Sequence, residues 1–322
     1  MAEQIVLSVV VPIHNEEGNI QELHRRLKEV LDSIGPCEII FVDDGSTDNS
    51  AATIEEVVRA NPRTRLVELS RNFGKEMAML AGYDHCAGQA AVVVDADLQT
   101  PPEVIREMVQ KWRQGAEIVD GVRQSTIGQG FMRRLYSRWF YWLMRKLAKT
   151  NIVPDSVDFR LMDRKVFRQI RACRERFRFN RGLAGWVGFR RDSVTFVADQ
   201  RFAGATRWSI RRLCGYAMDA IFSFSSVPLR VTGLLGLLIS ILSFIHLVWL
   251  VADNLIRGLP IPGYATIAGG IFLLGGVQLL GIWVLGEYVG RLYEEVKGRP
   301  PYVTRRVVSN PPGDDAGDER TP

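Results

Sequence analysis

The sequence predicts an α/β domain built on a mainly parallel sheet, followed by a transmembrane hairpin of two helices. Over the first two thirds of the chain, short apolar runs alternate with segments of helical pattern, which is typical of a doubly wound sheet. Nearer the C-terminus, residues 231–252 and 264–286 contain no Asp, Glu, Lys or Arg. Each of these runs is long enough to cross a bilayer, which takes about twenty apolar residues.

The strands of the α/β domain are predicted from runs rich in apolar and β-branched residues. These runs lie at residues 5–13, 38–42, 65–69, 90–94 and 117–122. The run at 90–94 has no polar residue, which indicates a strand buried on both faces of a parallel sheet. Helical patterns fill the gaps between the runs. We therefore assign residues 1–206 to this domain.

The hairpin is assigned to residues 231–290, with spans at 231–252 and 264–287. Its connector carries Pro260, Pro262 and one basic residue, Arg257. Nine other basic residues flank the outer ends of the two spans. They are Arg207, Arg211, Arg212 and Arg230 before the first span, and Arg291, Lys297, Arg299, Arg305 and Arg306 after the second. By the positive-inside rule, both termini and the N-terminal domain face the cytoplasm. We expect a multi-pass protein of the inner (plasma) membrane.

Two segments outside the spans combine basic with aromatic residues. Residues 131–149 and, more weakly, 208–229 have a composition that fits an amphipathic helix in the headgroup layer. An ordinary helix packed on the sheet fits the segment 131–149 equally well. We assign 207–230 as a juxtamembrane amphipathic segment and 291–322 as a cytosolic tail, disordered at its end.

The charge and the cysteines narrow the class of partner. The chain has 322 residues and a formal net charge of +5, which beside a membrane hairpin indicates anionic lipid and phosphate groups rather than nucleic acid. The cysteines have no metal-type spacing, so they are interpreted as reduced structural thiols. A small-residue face at Gly269, Gly270, Gly275 and Gly276 packs either the hairpin itself or a second copy of the chain.

Two carboxylates follow the buried run at 90–94, and they carry the main functional signal. Asp95 and Asp97 are placed beyond the carboxyl end of a strand, where α/β sheets bind their ligands. Two acids crowded together repel each other, and a divalent cation such as Mg²⁺ or Mn²⁺ relieves this repulsion. A phosphorylated substrate is the natural partner. The alternative is a solvated loop.

Other strand ends also carry polar groups. The run at 38–42 leads into Asp43 and Asp44, and the run at 5–13 leads into His14 and Glu16. Each of these segments alone is an ordinary turn and helix start. Three acid-bearing strand ends in one sheet are harder to explain without a site.

Five motifs together resemble a known family. They are Val-Pro-Ile-His-Asn-Glu-Glu from Val11, Val-Asp-Asp-Gly-Ser-Thr-Asp from Val42, Ser-Arg-Asn-Phe-Gly-Lys from Ser70, Asp-Ala-Asp-Leu-Gln from Asp95 and Asp-Phe-Arg-Leu-Met-Asp-Arg from Asp158. The chain resembles family 2 glycosyltransferases of GT-A fold, in the polyprenyl-phosphate branch related to dolichol-phosphate mannose synthase. The two spans resemble those of membrane-anchored bacterial members that glucosylate undecaprenyl phosphate.

The resemblance implies roles for residues on the side of a nucleotide-sugar donor. The nucleotide pocket would be lined by Pro12, His14 and Glu16, with Asp43 or Asp44 on the base. Arg71, Asn72 and Lys75 would lie near the donor, and Asp95 would contact it. Asp97 and Gln99 would hold a divalent cation, Mg²⁺ or Mn²⁺, against the donor diphosphate. His14 stands where the family more often has Tyr, so contacts in this pocket differ.

On the acceptor side, the resemblance adds Asp158 to the catalytic acids Asp95 and Asp97. An equivalent carboxylate is often called the base, but a phosphate monoester is already largely anionic near neutral pH. Asp158 therefore orients a substrate group, or else it forms an ion pair with Arg160 or a neighbouring Arg. Candidates for the acceptor phosphate are Arg123, Arg133, Arg134, Arg201 and Arg207, because Arg binds phosphate in a bidentate manner.

The predicted reaction is inverting transfer of a hexose to membrane polyprenyl phosphate. Glucose from UDP-glucose and undecaprenyl phosphate are the expected substrates, with a lipid-linked sugar for the cell envelope as the product. One alternative is the same reaction with GDP-mannose or a UDP-linked amino sugar. A different alternative makes the hairpin a transporter element with a nucleotide-sensing domain, although the runs 231–252 and 264–286 contain no charged residue.

Overall fold

The computed structural model describes residues 4–124, 156–199, 227–257 and 263–310. The chain divides into two compact units, Met1–Ala217 with Pro300–Pro322, and Met218–Arg299. The amphipathic segment 131–149 and most of the segment 208–229 lie outside the described residues.

The first unit is built on an eight-stranded mixed sheet. Its strands are β1 (Leu7–Ile13), β2 (Cys37–Asp43), β3 (Thr64–Leu69), β4 (Ala90–Val93), β5 (Ile118–Arg123), β6 (Ser156–Asp163), β7 (Arg191–Phe196) and β8 (Thr304–Ser309). They lie in the order β7-β5-β6-β4-β1-β2-β3-β8. Strands β3, β2, β1 and β4 are parallel neighbours, whereas β6 is antiparallel to both β4 and β5.

Helices cover both faces of this sheet. They are α1 (Glu17–Leu31), α2 (Ser50–Ala60), α3 (Lys75–Asp84), α4 (Ile105–Arg113), α5 (Arg164–Ala172) and α6 (Asn180–Trp186). Successive β1 residues point to opposite faces, so Val9 joins a core with α1, α2 and α4 while Val10 joins a core with α3, α5 and α6. The predicted α/β class is therefore confirmed.

All five predicted strands are present, each within two residues of its predicted ends. Sequence analysis did not predict β6, β7 and β8, because each carries charged residues that interrupt its apolar pattern. In β6 the charge is tolerated through ion pairs: the buried Arg160 binds the buried Asp120 of β5 through Nε and Oδ1 at 2.5 Å. Ion-paired charge inside a sheet has no signature in a single sequence.

Strand β8 lies in the segment that sequence analysis treated as a tail. It pairs antiparallel with β3 and is the edge strand on that side of the sheet. Glu68 of β3 accepts from Arg305 at 2.8 Å and from Arg306 at 2.6 Å. Just before β8, the Val303 carbonyl accepts the Ser70 N–H at 2.9 Å. The chain that follows the apolar helices therefore returns to complete the first sheet.

The second unit consists of the helices α7 (Val227–Arg257) and α8 (Tyr264–Val296), which pack against each other. Their stretches Leu229–His246 and Leu273–Val296 are long and apolar enough to cross a membrane. Side chains such as Leu234 and Phe244 are about two thirds exposed, at 66% and 67%. The two apolar helices that the sequence predicted are present, and each extends beyond its predicted span.

Candidate functional site

The carboxyl ends of β3, β2, β1 and β4 lie side by side at one edge of the sheet. His14 directly follows β1, and Asp95 comes two residues after β4. Antiparallel β6 pairs Arg160 with Val93 of β4. Continuing this register brings Asp158 level with Asp95, so β6 adds a further acid to the same edge.

Four side chains of alternating charge form a row at this edge. Lys75 Nζ lies 2.6 Å from Asp95 Oδ1 and 2.9 Å from Asp158 Oδ2, so one ammonium joins the two carboxylates. The other oxygen of Asp158 accepts from Arg181 Nε at 2.8 Å. Lys75 is the first residue of α3, and Arg181 is the second residue of α6. We call Asp95, Lys75, Asp158 and Arg181 the charge row.

The charge row fixes the ionisation of its central acid. Burial alone would raise the pKa of Asp158, but the neighbouring Lys75 and Arg181 outweigh burial and hold this pKa well below its usual range. Asp95 and Asp158 in turn raise the pKa of Lys75, against the opposing effect of burial. Asp158 is therefore a carboxylate and Lys75 an ammonium near neutral pH.

Glu76 stands beside the charge row and behaves differently. Burial, together with the nearby negative charge of Asp158, raises the pKa of the Glu76 carboxyl to about 7. Its Oε2 accepts the backbone N–H of Asn180 at 3.0 Å, which ties the start of α3 to the start of α6. This carboxyl is thus the group near the row that changes charge close to neutral pH.

Asp97 lies two residues beyond Asp95 and has the chemistry of a cation ligand. Its Oδ1 accepts the N–H of Gln99 at 3.1 Å, and Leu98 between them has a left-handed backbone with φ 58°. Both side chains are half-buried and offer oxygen atoms. Mg²⁺ is commonly bound by one or two carboxylates, with water and substrate phosphates completing the shell. Asp97 and Gln99 fit such a cation.

At the carboxyl end of β2, Asp44 and Gly45 support the loop between β3 and α3. The two carboxylate oxygens of Asp44 accept the N–H groups of Phe73 at 2.7 Å and Gly74 at 2.9 Å. Gly45 has φ 63°, and a Cβ there would lie 2.6 Å from the Asn72 nitrogen. Only glycine allows this close approach of the two backbones. The loop that leads to Lys75 is therefore fixed by the end of β2.

His14 fastens the same loop from β1. Its Nδ1 lies 3.0 Å from the Asp44 carbonyl oxygen, and its Nε2 lies 3.0 Å from Asn72 Nδ2. With a proton on Nδ1, the ring donates to the Asp44 carbonyl and accepts from the Asn72 amide. His14 thus bridges the ends of three strands.

A model of the family described as glycosyl transferase family 2 matches residues 8–171, slightly more than half of the chain. The chain belongs to this family. As a glycosyltransferase it is an enzyme, which sets aside the alternative of a transporter element. The matched residues include β1 to β6 and most of the charge row.

Relatives of this glycosyltransferase match it over nearly its whole length. A protein of Synechocystis sp. described as an uncharacterized glycosyltransferase is 45% identical over 93% of this chain and 94% of its own. A prophage-derived bactoprenol glucosyl transferase of Shigella flexneri is 39% identical over 93% of this chain and 97% of its own. The prophage bactoprenol glucosyl transferase homolog of Escherichia coli is 38% identical, with 94% and 99% covered.

Among solved structures, that of glucosyl-3-phosphoglycerate synthase of Mycobacterium tuberculosis is similar to the structure of this chain. The TM-score is 0.46 and the identity is 19%, with 68% of this chain and 79% of that chain covered.

The other predicted site residues fall into two groups. Near the carboxyl ends of β1 and β2, Pro12 lies in β1, Glu16 accepts from Asn19 Nδ2 at 2.5 Å, and the buried Asp43 accepts from Ser46. Burial raises the pKa of both Asp43 and Asp44, against the hydrogen bonds that they accept. The Arg71 guanidinium lies over the Phe73 ring, 4.7 Å from its centre.

The second group comprises the arginines predicted for an acceptor phosphate. Arg123 is exposed and ends β5, which runs parallel to β4 with β6 between them, so it lies at the same edge of the sheet as the charge row. Arg133, Arg134, Arg201 and Arg207 lie outside the described residues. One proposed ion pair is wrong: Arg160 binds Asp120, and Asp158 is paired with Arg181 instead.

Sequence reasoning missed Arg181 and Glu76. Arg181 belongs to none of the quoted motifs, and its position beside Asp158 depends on how α6 packs against the sheet. Glu76 follows Lys75 directly, yet only the approach of Asn180 distinguishes it from an exposed acid in a first helical turn. For Arg181, the only indication in the sequence is the high density of arginine residues after Asp158.

Proposed function

We propose that this glycosyltransferase transfers glucose from UDP-glucose to a bactoprenol-type polyprenyl phosphate. The observation that carries this proposal is the name bactoprenol glucosyl transferase, which relatives 38–39% identical over 93–94% of the chain share. The product would be a polyprenyl-phosphate-linked glucose for glycosylation of the cell envelope. A mannose or amino-sugar donor is the competing possibility.

The donor occupies the edge formed by β1 to β4. Pro12, His14, Glu16, Asp43, Asp44 and Arg71 face or support the nucleotide, and Asp95 with Lys75 contacts the sugar diphosphate. Asp97 and Gln99 would hold Mg²⁺ or Mn²⁺, and a bound cation would supply Lewis-acid assistance to the departing nucleotide. The acids thereby divide into a cation ligand, Asp97, and a donor ligand, Asp95.

The reaction is a single displacement at the anomeric carbon. An oxygen of the acceptor phosphate attacks this carbon from the side opposite the diphosphate, and a new carbon–oxygen bond forms. The bond from the anomeric carbon to the diphosphate oxygen breaks, and UDP departs with the electron pair. One displacement inverts the anomeric configuration.

No general base is required in this scheme. The second pKa of a phosphate monoester is about 6, so the attacking oxygen is largely deprotonated near neutral pH. Asp158 is ill suited to be a base, because Lys75 and Arg181 hold its pKa low and occupy both of its oxygens. Its role in the proposal is to position these two cations.

The hairpin anchors the enzyme where its acceptor resides. The apolar side chains exposed along α7 and α8 suit contact with lipid. The positive-inside rule, applied to the basic residues outside the spans, supports a cytoplasmic location for the catalytic unit and both termini. Anchoring raises the local concentration of a lipid phosphate at the site. Arg123, Arg133, Arg134, Arg201 and Arg207 are proposed to neutralise this phosphate, and the glycines of α8 leave room for a homo-oligomer.

The decisive experiment uses the purified full-length enzyme in detergent with undecaprenyl phosphate. Radiolabelled UDP-glucose, GDP-mannose and a UDP-linked amino sugar are supplied in parallel, each with and without EDTA. We expect label in the lipid fraction from UDP-glucose, and its loss with EDTA. Label from another donor alone would replace glucose in the proposal, and no lipid label from any donor would overturn it.

Asp97→Asn tests the cation ligand directly. We expect turnover to fall by about a hundredfold or more, because the amide loses the charge that binds the cation. Asp192→Asn is the matched control, since this acid lies near the start of β7 at the opposite edge of the sheet and pairs with Lys111. Equal activity of the two variants would remove Asp97 from the mechanism.

A further inference from the structure

We propose that Arg181 binds the phosphate of the lipid acceptor, and that Asp158 holds its guanidinium in place for this contact. The inference rests on the proposed function and specifies its acceptor site. Arg181 lies outside both the quoted sequence motifs and the residues matched by the family model.

The exposure of the charge row supports an anion site. The Asp158 side chain is only 12% exposed, whereas Lys75 and Arg181 on either side of it are 40% and 34% exposed. The Asp158 carboxylate thus lies beneath Lys75 and Arg181, and the accessible charge at the Arg181 end of the row is positive, whereas Asp95 at the other end is 31% exposed. A surface of this kind attracts an anionic group although the charges of the row sum to zero.

The two cations differ in what else they contact. Lys75 also binds Asp95, which lies two residues before the proposed cation ligand Asp97, so it belongs to the donor side. Arg181 contacts the opposite oxygen of Asp158. A guanidinium presents several N–H groups in one plane and suits a phosphate better than an ammonium does. Arg181 therefore faces the second phosphate of the reaction, that of the acceptor.

The backbone that carries Arg181 is held by a buried network. Arg178 is 7% exposed, and its Nε donates to Asn180 Oδ1 at 2.6 Å. The same guanidinium donates to the carbonyls of Ile170 and Cys173. Asn180 then donates its backbone N–H to Glu76. Support of this kind fixes a binding side chain before the ligand arrives, which lowers the cost of ordering it.

Arg181→Gln tests the assignment in the full-length enzyme, with steady-state kinetics measured separately for each substrate. We expect the KM for undecaprenyl phosphate to rise by about tenfold to a hundredfold, the usual range for a lost charged hydrogen bond. The KM for UDP-glucose is expected to stay within about twofold, because the donor contacts are unchanged. Arg174→Gln is the matched control: it removes a similarly exposed arginine paired with Asp84, and should alter neither KM.

The outcomes separate this inference from the proposed function. A wild-type enzyme that labels no lipid overturns the proposed function and the inference with it. An active wild type whose Arg181→Gln variant keeps its acceptor KM, or loses donor and acceptor affinity equally, overturns the role of Arg181 alone. If the melting temperature shows that Arg181→Gln is misfolded, Arg181→Lys retains the charge. Its acceptor KM should still rise selectively, and an unchanged value overturns the inference.

Discussion

At the scale of single residues, the ion pairs of Asp158 decide which chemistry this carboxylate performs. A general base needs an accessible oxygen and a pKa near the working pH. Asp158 has neither, since Lys75 and Arg181 occupy its oxygens and lower its pKa. The same contacts hold two cations where the proposed function places the reacting anions. The acid therefore acts through its neighbours.

Glu76 provides a pH-dependent prediction for stability. Its pKa of about 7 lies above the ordinary value of 4.5, so the folded state favours the protonated form. This favourable contribution is present below about pH 4.5 and is lost as the pH rises through about 7. Glu76→Gln does not titrate and keeps its neutral group. We expect its melting temperature, relative to the wild type, to increase from about pH 5 to about pH 8.

The control for this prediction is Glu22→Gln, which removes an exposed acid whose pKa is lowered by its hydrogen bond with Arg25. Its difference from the wild type should stay constant over the same pH range. Melting is followed by tryptophan fluorescence of the full-length protein in detergent. Parallel curves for Glu76→Gln and the wild type would contradict the assigned titration.

Gly45 provides a second prediction at this scale. Gly45→Ala must strain a left-handed backbone and also push a methyl group into the backbone of Arg71 and Asn72. We expect a lower melting temperature and a KM for UDP-glucose raised by about tenfold, because the loop to Lys75 is displaced. Gly188→Ala is the control with a similar φ of 72° but with its nearest atom 4.0 Å away. If both variants behave alike, close packing of this loop has no role in donor binding.

At the scale of elements, the edge strand β8 links the C-terminal part of the chain to the loop between β3 and α3. Val303 binds Ser70, and Arg305 donates both to the Ser70 carbonyl at 3.1 Å and to Glu68. Ser70 is the residue at which β3 gives way to the loop leading to Lys75. The strand thereby closes the sheet and fixes the start of that loop.

Two truncations test this role of β8. Removal of residues 303–322 deletes the strand, and we expect a lower melting temperature, aggregation through the uncovered β3 edge and a higher KM for UDP-glucose. Removal of residues 311–322 leaves β8 intact and takes away a segment whose composition predicts disorder, so the melting temperature, the aggregation and the KM should all stay unchanged. Identical behaviour of the two truncated proteins would show that β8 is dispensable.

The same scale explains which parts of the site were predictable. Asp43, Asp44, Asp95 and Asp97 follow apolar runs, and a parallel sheet gathers such strand ends without further information. The charge row is different, because Lys75, Asp158 and Arg181 are distant in sequence and meet through the register of β6 and the packing of α3 and α6. Sequence analysis placed Asp158 and Lys75 near a substrate through family motifs, but did not foresee their contact.

At the scale of the whole molecule, composition predicted the division into a sheet domain and an apolar helical pair. Helices that expose Leu234, Phe244 and similar residues suit contact with lipid, and apolar runs of this length can be identified in the sequence directly. The return of the chain to the first unit was not predictable. Residues 304–309 carry two arginines, and their pairing depends on Glu68 in a strand far away in sequence.

That return has a consequence for biosynthesis. A ribosome makes the chain from the N-terminus, so β1 to β7 emerge first, then α7 and α8, and β8 last. The edge of β3 that pairs with β8 therefore stays unpaired until both apolar helices have been synthesised. An unpaired edge is the part of a sheet most prone to wrong partners. The sheet is therefore completed only after both apolar helices have been synthesised. A chain whose synthesis stops before residue 304 lacks β8.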